Sequence, residues 1–295
     1  MKELSFELPV GLTLRGENYK NVELLRTNGV AEKIFLTRIS EKPFTWQGNV
    51  LAAGIKSIGP IEIGVEVRKK YLEDNSVTIP EAILKLPLAE VNTLLVEIHR
   101  RLWKSFIPKQ EIICKYCGKK LIADIDLDKI KYDEEEMERF NSLSETEYET
   151  IVVNLEDGWQ PLPIPKITGR PEYAGITDTV FNRFILRVPL LEDAIRQEQH
   201  ASDSIGFWRK VAMDCLVDVQ YVEDGAVKET LPEELRFAYG LKIFNEYLSA
   251  RDLRIIRSSL TEHLPTLPYA YYESCGCDQQ REIPMTMEAS SFFSE

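Results

Sequence analysis

At 295 residues the chain is long enough for one large domain or two ordinary ones. Its 44% hydrophobic content supports a real core, and 28% charged residues is the ordinary level for a soluble globular protein. A net charge of −12, with no basic run to offset it, argues against a general nucleic-acid binder, because such proteins bring positive charge to phosphate.

The N-terminus, Met1-Lys2-Glu3-Leu4, lacks the continuous apolar segment of a signal peptide. No stretch approaches the roughly 20 apolar residues of a membrane-spanning helix. A cytoplasmic location is expected.

Leu4-Ser5-Phe6-Glu7-Leu8 alternates as a strand does, and Pro9 and Gly11 are expected to end it. Asn21-Val22-Glu23-Leu24-Leu25 reads as a second strand. Asn28 is placed to cap a helix with Ile34, Phe35 and Ile39 on one face. Ile61-Glu62-Ile63-Gly64-Val65-Glu66-Val67 alternates throughout and is the clearest strand pattern in the chain. Pro87 suits the first turn of a helix striped by Val91, Leu94, Leu95, Ile98 and Leu102. Beyond Pro108, the run Glu111-Ile112-Ile113-Cys114-Lys115-Tyr116-Cys117-Gly118, followed by 121–127, reads as strand, knuckle, strand.

Like charges crowd Asp133-Glu134-Glu135-Glu136-Met137-Glu138 and continue to Glu149, which favours solvent exposure. We place the module boundary there: residues 1–132, an acidic linker 133–150, and residues 151–295. Pro161, Pro163, Pro165 and Pro171 make 159–171 extended, since proline removes backbone donors and restricts its predecessor. Helical character is expected over 176–196 and 206–219. A further helix is expected over 241–260, carrying Leu248, Leu253, Ile256 and Leu260. Cys275-Gly276-Cys277 then precedes an alternating run with Ile283, Met285 and Met287. The same distance along the chain separates Leu95 from Cys114 as separates Ile256 from Cys275, which points to a diverged internal duplication. The expected fold is α+β: two related modules, each with short strands, a helical layer and a cysteine-bearing β-knuckle.

The two pairs hold four of the five cysteines. Zinc binds thiolates tetrahedrally, and a short knuckle with glycine lets two cysteines converge on one ion. Cys114, Cys117, Cys275 and Cys277 together would hold one zinc and clamp the halves. Two alternatives stay open: a knuckle that binds nothing, and a redox pair. The redox reading fits less well, since the first pair lies between strands rather than at a helix start. Cys215 is expected in the core.

The sequence has no phosphate-cradling glycine loop, no nucleophile elbow and no His-Glu-x-x-His. His99, beside Arg100 and Arg101, is expected to be solvent-exposed; His200 and His263 are expected near helix C-termini. Asp124 and Asp126 are read as the wet side of a strand whose dry side is Ile125 and Leu127. An enzyme is not expected. Binding features weigh more: Phe292 and Phe293 in the tail are candidate partner anchors, and Tyr269, Tyr271 and Tyr272 are candidates for the same surface. Both sets have a plainer reading, as packing or strand residues.

One combination carries a resemblance. It comprises the turn Leu8-Pro9-Val10-Gly11, the helix after Pro87, and Cys114-Lys115-Tyr116-Cys117-Gly118 followed by Ile125-Asp126-Leu127. It ends with Cys275-Gly276-Cys277, Ile283-Pro284 and Phe292-Phe293. The chain resembles the baseplate hub assembly chaperones of contractile-tailed phages and contractile injection systems, with a shortened second knuckle as its departure. The likeness spans most of the chain. It implies a non-enzymatic assembly chaperone or minor structural component. Such a protein would bind hub or wedge subunits in the bacterial cytoplasm and either leave or stay in the finished baseplate. A zinc-ribbon adaptor in an unrelated complex is the alternative, and a thiol-dependent enzyme using Cys114 and Cys117 the third reading.

Overall fold

The computed structural model describes residues 3–37, 42–104, 106–113, 117–130, 138, 149–155, 181–198, 204–233, 236, 244, 248–262, 269–271 and 282–284. The fold is α+β, with every strand pair among the described residues antiparallel. Two compact units divide the chain. The first comprises Met1–Ser142, Leu190–Glu198 and Pro265–Glu295; the second comprises Leu143–Pro189 and Gln199–Leu264. This division is discontinuous along the chain. The acidic run 133–137 and the proline-rich 159–171 lie outside the described residues.

In the first unit, β1 (Ser5–Leu14) and β2 (Glu17–Leu24) form a hairpin, and β3 (Ile55–Ile58) and β4 (Ile61–Glu62) extend the sheet in the order β1-β2-β3-β4. Pro9 and Gly11 do not end β1 as expected. They are absorbed in a bulge, where the pairing shifts between Glu7↔Asn21 and Leu12↔Tyr19. Gly11 sits at φ +100°, and a Cβ there would lie 2.5 Å from Asn18 Oδ1, so only glycine fits.

Helix α1 (Gly29–Leu36) starts as expected, with Asn28 Oδ1 accepting from the Ala31 N–H at 3.0 Å. Ile34 and Phe35 are buried; Ile39 lies outside the described residues. Helix α2 (Pro43–Gly54) follows, with Trp46 and residues 50–54 all buried. The Trp46 indole N–H donates to the Phe35 carbonyl at 3.2 Å, which satisfies its polar atom inside the core.

The strand expected over residues 61–67 stops at Glu62, and helix α3 (Gly64–Asp74) begins two residues on. The burial there has helical spacing: Gly64, Val67 and Arg68 face inward while Val65 is half exposed. A Cβ on Gly64 would meet the Ile55 carbonyl at 2.5 Å, so β3 and α3 approach backbone to backbone. Buried Arg68 donates from Nε to the Ala53 carbonyl (2.9 Å), from Nη1 to Arg26 O (2.6 Å) and from Nη2 to Leu25 O (3.0 Å). Burial lowers its pKa to about 10, still well above neutrality.

After α4 (Glu81–Leu84), α5 (Leu88–Ile98) is buried around nearly its whole circumference, more than the single stripe expected. Pro87 is its N-cap rather than its first residue. A π-helical turn, His99–Trp103, closes it and brings Arg100 and Arg101 back onto buried Glu97. Arg101 also donates to the Glu3 (2.6 Å) and Ser5 (3.1 Å) carbonyls and lies 5.1 Å over the Phe6 ring. His99 is buried, contrary to expectation. The wider turn tucks its ring inward, where Nδ1–H donates to the Lys104 carbonyl at 2.8 Å.

β5 (Phe106–Ile113) and β6 (Lys120–Asp126) are the two expected strands and pair antiparallel. Ile125 and Leu127 are buried and Asp124 exposed, as expected. Helix α6 (Leu191–Glu198) packs on α2, α4 and α5 within the same unit.

Among the described residues the second unit holds a four-stranded sheet, in the order 226–230, 216–223, 183–187, 150–154, together with helices. Its strands β7 (Thr150–Asn154) and β8 (Arg183–Arg187) bury Ile151, Val153, Phe184 and Leu186 on one face. Helix α7 (Ser204–Asp214) is followed by the hairpin of β9 (Leu216–Glu223) and β10 (Ala226–Thr230). The helical character expected over 176–196 and 206–219 therefore holds only in part. Residues 183–187 alternate inward and outward on a strand, and Leu216 begins another. Buried Cys215 sits just after α7. Helix α8 (Ala250–Glu262) starts later than the expected 241–260, at a capping box. There Ser249 Oγ accepts from the Asp252 N–H (3.1 Å) and Asp252 Oδ2 accepts from the Ser249 N–H (2.9 Å).

Helix α5 also places Glu90, fully buried, against the β1 bulge, where Oε1 accepts from the Val10 (2.5 Å) and Gly11 (2.9 Å) N–H groups. Oε2 has no hydrogen-bond partner. Burial pushes the carboxyl up to about 7 from 4.5, outweighing the two backbone N–H bonds that favour the anion. The folded protein thus holds this proton at pH values where the unfolded chain has released it. Stability attributable to Glu90 falls as pH rises from 4.5 to 7, by an upper bound of roughly 3 kcal/mol. Glu90→Gln should flatten that part of the profile in urea unfolding between pH 4.5 and 8; an unchanged profile would refute the assignment. Arg68→Ala should cost about 3 kcal/mol, because the buried Ala53 carbonyl and the part-buried Leu25 and Arg26 carbonyls lose their charged donor. A loss under 1 kcal/mol in the same unfolding experiment would show that water replaces the guanidinium.

Candidate functional site

The sequence directs attention first to the cysteines. Cys117 lies in the turn before β6 and is exposed. Gly118 follows at φ +69°, a left-handed conformation that suits a tight knuckle. Cys114, Cys275 and Cys277 lie outside the described residues. The strands flanking the second pair in sequence are β11 (Tyr269–Tyr271) and β12 (Glu282–Pro284), paired antiparallel with Tyr271 opposite Glu282. Within the first unit, β11 lies against β6 and the 3-10 turn Leu127–Lys129 that follows it. So a strand next to one cysteine pair neighbours a strand next to the other. Among the described residues no group of three or more metal-ligating side chains is found. Of the candidate anchors, Tyr271 is in β11, whereas Tyr272, Phe292 and Phe293 lie outside the described residues.

A second site lies wholly within the second unit. Helices α7 and α8 pack against each other and leave a cavity of about 380 Å³, open to solvent. Its apolar wall is made by Trp208, Ala212, Leu248, Leu253 and Ile256. Trp208 is held edge-on to Phe207, with ring centroids 5.5 Å apart. Phe207 is itself buried, so the indole is fixed on the wall.

Three arginines complete the lining: Arg209 from α7, and Arg254 and Arg257 from α8. Arg254 and Arg257 are exposed and stand one helical turn apart. Arg209 Nε is buried and has no hydrogen-bond partner. In a chain of net charge −12, the charged residues among the described lining are all arginines. Its chemistry is that of recognition: an apolar surface that gains by excluding water, beside guanidinium forks that match carboxylates.

In the sequence Leu253 and Ile256 stand among the apolar residues of a predicted helix, with arginines interleaved. The signal was the repeat Arg251, Arg254, Arg257 at helical spacing beside the apolar stripe. Comparison with known proteins gives no match: no protein-family model, curated protein or solved structure matches the chain.

Among the described residues no helix is long and apolar enough to cross a membrane.

Proposed function

We propose that the chain is a non-enzymatic assembly chaperone or minor structural component of the baseplate hub of a phage-like contractile tail. It would work in the bacterial cytoplasm by holding hub or wedge subunits. The sequence resemblance supplies the family. The observation that carries the binding role is the apolar, arginine-rimmed cavity between α7 and α8. Its lining offers a partner buried area and cationic contacts, and arginine is the titratable residue type among its described lining residues.

The reading includes a structural zinc held by Cys114, Cys117, Cys275 and Cys277, with the two hairpins descended from one duplicated unit. The neighbouring positions of β11 and β6 support it. A four-thiolate zinc would stitch the two hairpins together, and its binding free energy would be partly folding free energy. Elemental analysis of the purified protein should give one zinc per chain. Cys114→Ser/Cys117→Ser should lose the metal and lower the melting temperature. A metal-free protein with an unchanged melting temperature would remove zinc from the reading.

The function itself is tested by affinity purification of the tagged chain from cells making it under native control. Tail hub or wedge subunits are expected among the co-purified proteins, and presence or absence of the chain itself in sedimenting particles would separate component from chaperone. Recovery of host cytosolic proteins without tail subunits would sink the baseplate assignment and favour a zinc-ribbon adaptor.

A further inference from the structure

We infer that the groove between α7 and α8 receives an acidic amphipathic helix of a partner protein, with a bulky apolar side chain in the cavity and carboxylates on its arginines. The inference rests on the binding role proposed above and names the chemistry of the ligand. Three observations point the same way. The first is shape: the cavity opens along two packed helices instead of being enclosed, and about 380 Å³ is the small end of binding-pocket size. Such a volume suits one or two large side chains presented from a neighbouring element better than a whole cofactor.

The second is charge. Arg254 and Arg257, one turn apart on α8, reach the same side of the groove, with Arg209 across from them on α7. A helix lying alongside α8 presents residues i and i+3 or i+4 on one face, so acidic residues at that spacing meet both guanidinium groups. The third is the buried Arg209 Nε, an N–H at the cavity wall with no acceptor. Leaving a buried charged donor unpaired is costly, so the Arg209 guanidinium gains by turning toward a carboxylate that enters the cavity. An acidic partner is also the one that the rest of this acidic chain would repel. The arginine groove therefore fixes where such a partner docks.

The experiment uses the full chain and three dye-labelled synthetic 16-residue helical peptides. They share one Leu/Phe face and carry Glu, Gln or Lys at the remaining positions. In fluorescence anisotropy the Glu peptide should bind about tenfold more tightly than the Gln peptide, the size expected for two or three partly exposed ion pairs. The Lys peptide should not bind. Arg254→Glu/Arg257→Glu, with its fold checked by circular dichroism, should reverse the order and bind the Lys peptide. A merely structural role for the arginines would not produce that inversion.

Equal affinity for Glu and Gln peptides, or an unchanged order in the variant, would overturn the inference. So would binding of anionic phosphatidylglycerol vesicles with no peptide binding, or a concentration-dependent dimer that excludes peptide. The two readings fail separately. Tail subunits that co-purify without peptide binding would reject this groove alone. Peptide binding with charge inversion, but no tail subunits, would reject the baseplate assignment and leave the groove.

Discussion

Helix α2 imposes the constraint that shapes the first unit. Surrounded by α1, α3, α4, α5, α6 and β3, it lies in the core, and a helix there must have its end groups satisfied without water. At its N-terminus, the Glu198 carboxylate of α6 accepts from the Phe44 (2.7 Å) and Thr45 (3.0 Å) N–H groups, and from the Thr45 hydroxyl. A negative charge at that end also complements the helix dipole. At the other end, Arg68 takes the Ala53 carbonyl and the Leu25 N–H donates to the Gly54 carbonyl at 2.8 Å. A carboxylate and a guanidinium from two other helices thus close the two ends of one apolar rod.

Helix α5 solves the same problem differently. Its two buried carboxylates are turned outward along its axis, Glu90 towards the N–H groups that the β1 bulge frees and Glu97 towards Arg100 and Arg101. The Asn18 side chain donates to the Val10 carbonyl at 3.3 Å and completes the bulge. Polar atoms inside the unit are therefore spent on irregular backbone, where ladder bonds are missing, and the regular parts of the sheet are packed with apolar residues. The bulge that the sequence presents as a strand end is held in place from across the core.

Local signals were legible wherever one residue decides the outcome. Asn28 announces α1, Ile125 and Leu127 alternate with wet neighbours on β6, and the segments around Cys114 to Cys117 are paired strands. The failures share a cause. Ile61 to Val67 alternates perfectly, yet alternation over so few residues cannot tell a strand from a strand followed by a helix, and the close approach of Gly64 to Ile55 is a tertiary fact. Residues 183–187 alternate too, but lie inside the helical stretch expected over 176–196. Asp224-Gly225, both at positive φ, is a hairpin signal just beyond the helical stretch expected over 206–219. As for the site, the apolar stripe of α8 was visible, but its arginines gain meaning only when α7 brings Arg209 and Trp208 beside them.

The bond between Glu198 and Phe44 joins residues separated by 154 positions in the chain. The polypeptide leaves the first unit, builds part of the second, and returns with α6 before leaving again. During synthesis at about 5–20 residues per second, the N-terminus of α2 waits roughly 8–30 s for its carboxylate. Through that interval α2 lacks its cap and its α6 neighbour. The nascent chain is therefore a client for holding factors before it can serve any partner of its own, and its first unit matures only after much of the second has been made.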